Sequence, residues 1–204
     1  MSFVRAGVPI AVLLTRALTA MGVCVMHYGI SIVRDKGIDH HALNTIIQQH
    51  GVESIIFVDG WTGKGAISQE LSRSLAQDSR FSGQPRLVTL ADPCGHAWLA
   101  ASAEDWLIPS GMLGATVSGL VSRSLYHADD WHGCNSCTHL QDYDVSQSFI
   151  HTVDTLRQQL EPNVILESKI WTTEQQQALQ QQSKAVIQYF SQQFGVSNIN
   201  RIKV

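Results

Sequence analysis

The run Ser54-Ile55-Ile56-Phe57-Val58-Asp59-Gly60-Trp61-Thr62-Gly63-Lys64-Gly65-Ala66-Ile67 constrains this chain more than any other. Ile55 to Val58 is short, apolar and rich in β-branched residues, which predicts a buried parallel strand. An acidic residue, Asp59, ends that strand. Three glycines follow within six residues, and Ala66 opens a segment that reads as the start of a helix. Strand, glycine-rich loop and helix together form an anion cradle in α/β proteins. The N–H groups of the helix start point outward, and the helix dipole favours negative charge there. Lys64 adds a cation and Thr62 a hydroxyl. Asp59 is placed to hold sugar hydroxyls or a metal.

Two familiar phosphate motifs do not fit. A Walker A loop needs G-x-x-x-x-G-K-[ST], but here Lys64 is followed by Gly65-Ala66 and the upstream glycine spacing is wrong. A dinucleotide fingerprint needs G-x-G-x-x-G, which Gly60, Gly63 and Gly65 do not supply. An ordinary tight βα turn without a ligand stays open. The loop is similar to that of the phosphoribosyltransferases, which run four apolar residues, two acidic ones, two variable ones and a Thr-Thr-Gly-like cradle. The chain aligns to it without a gap: Ile55 to Val58, Asp59, Gly60, Trp61, Thr62, then Gly63-Lys64-Gly65. Gly60 stands in place of the second acidic residue, which weakens the grip on a ribose diol.

With 204 residues, 44% of them hydrophobic and 15% charged, the chain can build one substantial core. A net charge of −3 gives no electrostatic footprint for general nucleic-acid binding. Phe3 to Leu18 is interrupted by Arg5, Pro9 and Arg16, so it does not read as a signal peptide. No apolar run approaches the ~20 residues of a membrane helix. Four cysteines in a chain this long predict reduced thiols and a cytoplasmic location.

The remaining pattern alternates strands with helices. Phe3-Val4 reads as the tail of a strand, and Pro9 fits the first turn of a helix to about Met21, ended by Gly22. That first unit begins almost at residue 1, which predicts further chain upstream. Val23 to Met26 reads as a second strand, and Ile30 to Val33 as a third or its continuation. Arg34-Asp35-Lys36-Gly37 is a charged turn. Asp39 is expected to cap a helix from His40 to His50, with Ala42, Leu43, Ile46 and Ile47 at helical spacing. A helix from about Ala66 to Ala76 carries Ile67, Leu71 and Leu75 on one face, and Leu87 to Leu90 is a further strand ending in Ala91-Asp92-Pro93-Cys94-Gly95. This order predicts an α/β fold with a mostly parallel sheet and flanking helices. Ligands of such sheets bind beyond the carboxyl ends of the strands, and Arg5, Arg34, Asp59 and Asp92 are expected on that edge.

From Trp98 onward the pattern changes. The segment from Glu104 to Ser110 is irregular, Gly111 to Arg123 mixes small and apolar residues, and Asp129 to Asp144 is rich in His, Asp and Cys. Val145 to Leu160 reads as an amphipathic helix stopped before Pro162, and Thr172 to Phe194 as a long helix with Gly195 past its end. Residues 1–160 read as one α/β domain and 161–204 as a helical extension of it.

Several blocks carry a family resemblance: Val4 to Ile10, His27 to Asp39, Val58 to Ile67, Leu107 to Ser110, Ser118 to Arg123 and Trp131-His132-Gly133. They look like the phosphoribosyltransferase-like family found with bacterial tellurium-resistance and stress-response gene clusters, which also goes by the name of StiP cysteine protease. The likeness covers most of the chain to about Phe149. It implies a Rossmann-like, three-layer type I phosphoribosyltransferase fold and synthesis of a nucleoside-like metabolite. The implied ligand is a phosphorylated ribose donor of the phosphoribosyl pyrophosphate type, with Mg²⁺ neutralising the pyrophosphate. In that scheme Asp59 holds ribose hydroxyls, Thr62, Gly63, Lys64, Gly65 and Ala66 cradle the 5′-phosphate, and Arg5, Ala6 and Gly7 take the pyrophosphate. Asp59 and Arg5 are its catalytic pair, and Arg34 and Asp92 contribute from the same edge. Members extend upstream of the Arg5 loop, and downstream past Ile202-Lys203 into a Pelota-like RNA-binding domain. This domain itself is therefore expected to bind neither nucleic acid nor membrane, while a homodimer stays open.

Other chemistry competes. A cysteine peptidase needs a thiolate paired with a histidine and an orienting group. Cys94 with His96 is the nearest local pair, and His127 or His132 can serve from elsewhere in the chain. His132, Cys134, Cys137 and His139 form H-x-C-x-x-C-x-H, a short-spaced candidate for zinc, although zinc sites usually pair two couples across a longer loop. A phosphate-binding domain without turnover is the third reading, which the missing second acidic residue favours.

Overall fold

A computed structural model describes residues 1–105, 115, 118–161 and 172–197. The blocks at 107–110 and 202–203, most of the 111–117 mix and the stop at Pro162 lie outside the described residues.

Among the described residues five parallel strands form the central sheet, in the spatial order β2 (Gly29–Ile30), β1 (Ser2–Phe3), β5 (Phe57–Trp61), β6 (Leu87–Ala91) and β7 (Leu99–Ser102). Two further strands, β3 (Ile32–Val33) and β4 (Gly37–Ile38), pair antiparallel as a separate hairpin whose turn is Arg34-Asp35-Lys36. Among the described residues the α-helices are α1 (Gly7–Ala20), α2 (His40–His50), α3 (Ala66–Leu75), α4 (Ser146–Gln158) and α5 (Thr173–Phe194). The α/β class with a mostly parallel, helix-flanked sheet is therefore the observed one.

Local chemistry explains most of these elements. The Asp39 carboxylate accepts from the Ala42 amide at 2.9 Å, which satisfies one orphan N–H at the start of α2. The apolar face of α2 buries Ala42, Leu43, Ile46 and Ile47. Leu71 and Leu75 of α3 are buried in the same core, which also takes Phe3, Ile30, Ile38, Phe57 and Leu87. The rings of Phe3 and Phe57 stack with centroids 5.9 Å apart, fastening β1 to β5. Thr172 caps α5 reciprocally with Gln175, and Gly195 closes it in the left-handed conformation.

Three strand assignments need correction. Ile30 to Val33 is not one strand: Ile30 ends β2 in the central sheet, whereas Ile32 and Val33 turn away to pair with β4. Val23 to Met26 is not a strand; the chain there is irregular, with Val23 and Met26 exposed, and it lines an apolar groove of about 460 Å³. A short apolar run becomes a strand only if a neighbour pairs with its backbone, and the pairing with β1 falls on Gly29 and Ile30 instead. The central strand is Phe57–Trp61, starting two residues and ending three residues later than the expected Ile55 to Val58, so Asp59 and Gly60 lie within it. β7 carries no strong apolar alternation and was not anticipated; it pairs with β6 through Val88 and Leu99.

Connectivity defines one special place. From β1 the chain steps to β2 on one side, then crosses back to β5 on the other. The strand order reverses between β1 and β5, and ligands of open parallel sheets bind outside the carboxyl ends of the strands at such a switch point. The loops there are Val4-Arg5-Ala6 after β1 and Thr62-Gly63-Lys64-Gly65 after β5.

Candidate functional site

The two switch-point loops approach closely. Gly7 opens α1 directly against the backbone of β5, where a Cβ on Gly7 would collide with the Val58 carbonyl oxygen. Arg5 reaches across to the segment at 121–124, donating from Nη1 to the Val121 carbonyl at 3.3 Å. Arg5, Ala6, Arg34, Arg123 and the apolar side chains around them line a groove of about 520 Å³. A smaller cavity of about 180 Å³ lies beside it, lined by Arg34, Lys64, Ala66 and Glu70 among others. Burial, then repulsion from Arg123, lowers the Arg5 pKa; burial, then repulsion from Arg34, lowers that of Lys64.

Asp59 does not face this groove as an open carboxylate. It is 9% exposed, and its Oδ1 accepts from the Gly60 amide at 2.8 Å. Burial pushes its pKa up to about 7, against a smaller downward pull from that amide. Thr62 is also buried, and among the described residues its hydroxyl has no hydrogen-bond partner. Gly63 packs against the Trp61 ring, and Gly65, at φ +81°, packs against the imidazole of His96. Ala66 begins α3.

His96 belongs to the loop after β6, which holds a second cluster. Asp92 is fully buried; its Oδ2 accepts from the Ala97 amide at 2.6 Å, while Oδ1 has no partner among the described residues. Cys94 is half-buried two residues on. Burial raises the Cys94 thiol pKa, the Ser183 side chain hydrogen-bonded to it pulls the other way, and Asp92 raises it further. Burial lowers the His96 pKa, Asp92 raises it and Lys184 lowers it. Asp92 therefore acts on both the thiol and the imidazole. Helix α5 closes over this loop: Gln180 donates to the Gly95 carbonyl at 2.7 Å and Gln176 to the Ala97 carbonyl at 3.1 Å.

The H-x-C-x-x-C-x-H segment is arranged differently from a metal site. His132 Nδ1 shares a 2.9 Å hydrogen bond with Ser31 Oγ, and the His132 amide donates to Asp39 Oδ2. Cys134 is exposed and Cys137 buried. Among the described residues no three His, Cys, Asp or Glu side chains converge as metal ligands. Cys137 is instead close enough to Arg5 to raise the guanidinium's pKa, though less than burial and Arg123 lower it.

A family model described as "Tellurite-like stress resistance cysteine protease StiP" matches residues 1–154. The chain belongs to the StiP family. It is 52% identical over 216 aligned positions to "Cysteine protease StiP" of Acinetobacter baylyi, covering 99% of this chain and 56% of that protein. The chain thus spans about half the length of this curated relative. No solved structure matches it.

Membership in the StiP family corrects the functional expectation. The transferase reading, with its phosphoribosyl pyrophosphate donor and nucleotide-metabolism setting, is overturned because both matches describe a cysteine protease. The stress-resistance setting agrees with the family description. The structure gives a physical reason in the same direction. A ribose diol needs ionised carboxylates turned outward, whereas Asp59 lies buried within β5 beside a glycine and is half-protonated at about pH 7. Among the described residues no helix is long and apolar enough to cross a membrane.

The structure brings Arg5, Ala6, Gly7, Arg34 and the Thr62–Ala66 loop together at the switch point, and sets Asp92, Cys94 and His96 one strand further along the same edge. His127 is exposed and makes no hydrogen bond among the described residues. Arg123 and Ser183 were missed as functional residues. Nothing in local spacing links Arg123 to Arg5 or Ser183 to Cys94, because both contacts depend on distant segments folding back.

Proposed function

We propose that this chain carries the catalytic core of a StiP-type cysteine peptidase, with Cys94 as its nucleophile. The observation that carries the reading is the buried Asp92, which acts electrostatically on both the Cys94 thiol and the His96 imidazole of one loop at the carboxyl edge of the parallel sheet. In this reading His96, neutral at rest, takes the proton of the Cys94 thiol as sulfur attacks the substrate carbonyl. The imidazolium then gives that proton to the departing amine as the C–N bond breaks. Water hydrolyses the resulting thioester, with His96 again as base. Asp92 stabilises the imidazolium electrostatically and orients the loop through the Ala97 amide. Gly95, in the left-handed conformation, supports a sharp turn behind the nucleophile. The likeness to the type I phosphoribosyltransferase fold belongs in this reading as a scaffold, supported by the glycine-rich loop after β5.

A second assignment of the nucleophile has one observation in its favour: Cys137 lies within electrostatic reach of the Arg5 guanidinium. Single Cys94→Ala and Cys137→Ala proteins, assayed on a quenched fluorescent casein, separate the two. Cys94→Ala is expected to abolish hydrolysis and Cys137→Ala to keep it. The reverse result moves the nucleophile to Cys137, and hydrolysis surviving both substitutions removes the peptidase reading from these thiols.

A further inference from the structure

Outside the Cys94 loop, three arginines meet at the switch point. Arg5, Arg34 and Arg123 share one groove of about 520 Å³; Arg34 also lines the adjoining cavity with Lys64, where Asp35 and Glu70 add carboxylates and Arg73 pairs with Glu70. The chain as a whole carries a net charge of −3, so this density of cations is local. Holding them together costs energy, since Arg123 acts repulsively on Arg5 and Arg34 on Lys64. The hairpin β3–β4 presents Arg34, the loop after β1 presents Arg5, and the Val121 carbonyl contact brings Arg123 from 118 positions away.

We propose that this groove is the specificity subsite of the peptidase and binds acidic side chains of a polypeptide substrate. The proposal rests on the peptidase reading and names the substrate class of that same site. Guanidinium groups match carboxylates in a bidentate fork, so three of them around one groove recognise clustered Asp or Glu. The walls between the arginines are apolar, with Val4, Ile32, Val33 and Ile67, and these suit the methylene stems and backbone of a peptide. The glycine-rich loop links the two places: Lys64 and Ala66 line the smaller cavity, and Gly65 between them packs on the His96 ring of the Cys94 loop. A volume of several hundred Å³ is in the range of sites that enclose a ligand, and an extended peptide places alternate side chains on one face at about 7 Å intervals.

The test reads binding separately from turnover. Cys94→Ala protein is titrated with three fluorescein-labelled octapeptides, rich in Glu and Asp, in Gln and Asn, or in Lys. The acidic peptide is expected to bind at least tenfold more tightly than the neutral one, and its affinity to fall with added salt. Arg34→Ala and Arg123→Ala, both at exposed positions, are each expected to weaken the acidic peptide roughly tenfold to a hundredfold and leave the neutral one unchanged. Equal affinity for acidic and neutral peptides overturns the proposal, as does indifference to both arginine substitutions. Inorganic pyrophosphate, with and without Mg²⁺, is titrated in parallel. If pyrophosphate binds and the acidic peptide does not, the groove is a small-anion site and the proposal fails. Because the protein used lacks the Cys94 thiol, failure here is distinct from failure of the peptidase reading, which the casein assay decides.

Discussion

Gly65 packs against the imidazole of His96, such that a Cβ on Gly65 would lie 2.6 Å from the ring Cδ2. The contact joins the glycine-rich loop after β5 to the Cys94 loop after β6. It also explains why a glycine stands there on two counts, the close approach and a φ of +81°.

Gly65→Ala is therefore expected to strain the loop and push His96 aside. The conformational penalty alone is on the order of 1–3 kcal/mol. In chemical denaturation the variant should lose about that much stability, and casein hydrolysis should fall more than stability explains. A variant with unchanged midpoint and unchanged hydrolysis would show that the two loops are uncoupled.

Asp59 predicts an unusual pH profile. Its folded pKa is raised to about 7 from 3.8, with burial the main cause. Below 3.8 the carboxyl is protonated in both states, and its stabilising contribution is present in full. Between 3.8 and 7 the unfolded chain releases the proton and the folded one keeps it, so the contribution is lost as pH rises, at about 1.4 kcal/mol per pH unit. Above 7 it stays lost, for a total on the order of 4 kcal/mol. Asp59→Asn keeps the acceptor for the Gly60 amide and removes the titration. Urea unfolding of both proteins from pH 4 to 8 should show the wild type falling relative to Asn across that window. Parallel curves would mean that Asp59 titrates normally.

The Cys94 thiol is held above its ordinary pKa, chiefly by burial, and Ser183 of α5 is the group that pulls it down. Alkylation of Cys94 by iodoacetamide, followed by peptide mass spectrometry, is expected to be slow at pH 7 and to accelerate only under alkaline conditions. Ser183→Ala should move that acceleration to still higher pH. A rate already at its plateau at pH 7 would contradict the burial assigned to this thiol.

Asp39 holds two segments at once, through the Ala42 amide in α2 and the His132 amide 93 positions away. It is 3% exposed, so Asp39→Ala leaves two donors short of a partner. A loss of about 1 kcal/mol is expected from the cap alone, with increased proteolysis of the 121–137 segment. Normal protease resistance in that segment would show that the His132 contact does not anchor it.

Much of the framework was legible because it rests on short-range chemistry. Asp39 before His40 signals a helix start wherever it lies, and the charged Arg34–Gly37 run between apolar pairs signals a turn. The same holds for Leu71 and Leu75 on one face of α3, and for Gly195 after α5. The cysteine loop at 92–96 was visible as well, since all its members lie within five residues. What the sequence determined by itself is the alternation of strands and helices, and hence a mostly parallel sheet flanked by helices.

Tertiary structure decided the rest. Val23 to Met26 has strand composition, but strand formation depends on a pairing partner, and β1 took Gly29 and Ile30. Asp59 reads as an exposed carboxylate at a strand end until β6 extends the pairing to Trp61 and buries it. Arg123 joins Arg5, and α5 settles on the Cys94 loop, only because segments far apart in sequence return to one sheet edge. Such contacts leave no periodicity to read, because the free energy that fixes them belongs to the packed assembly rather than to any local run of residues.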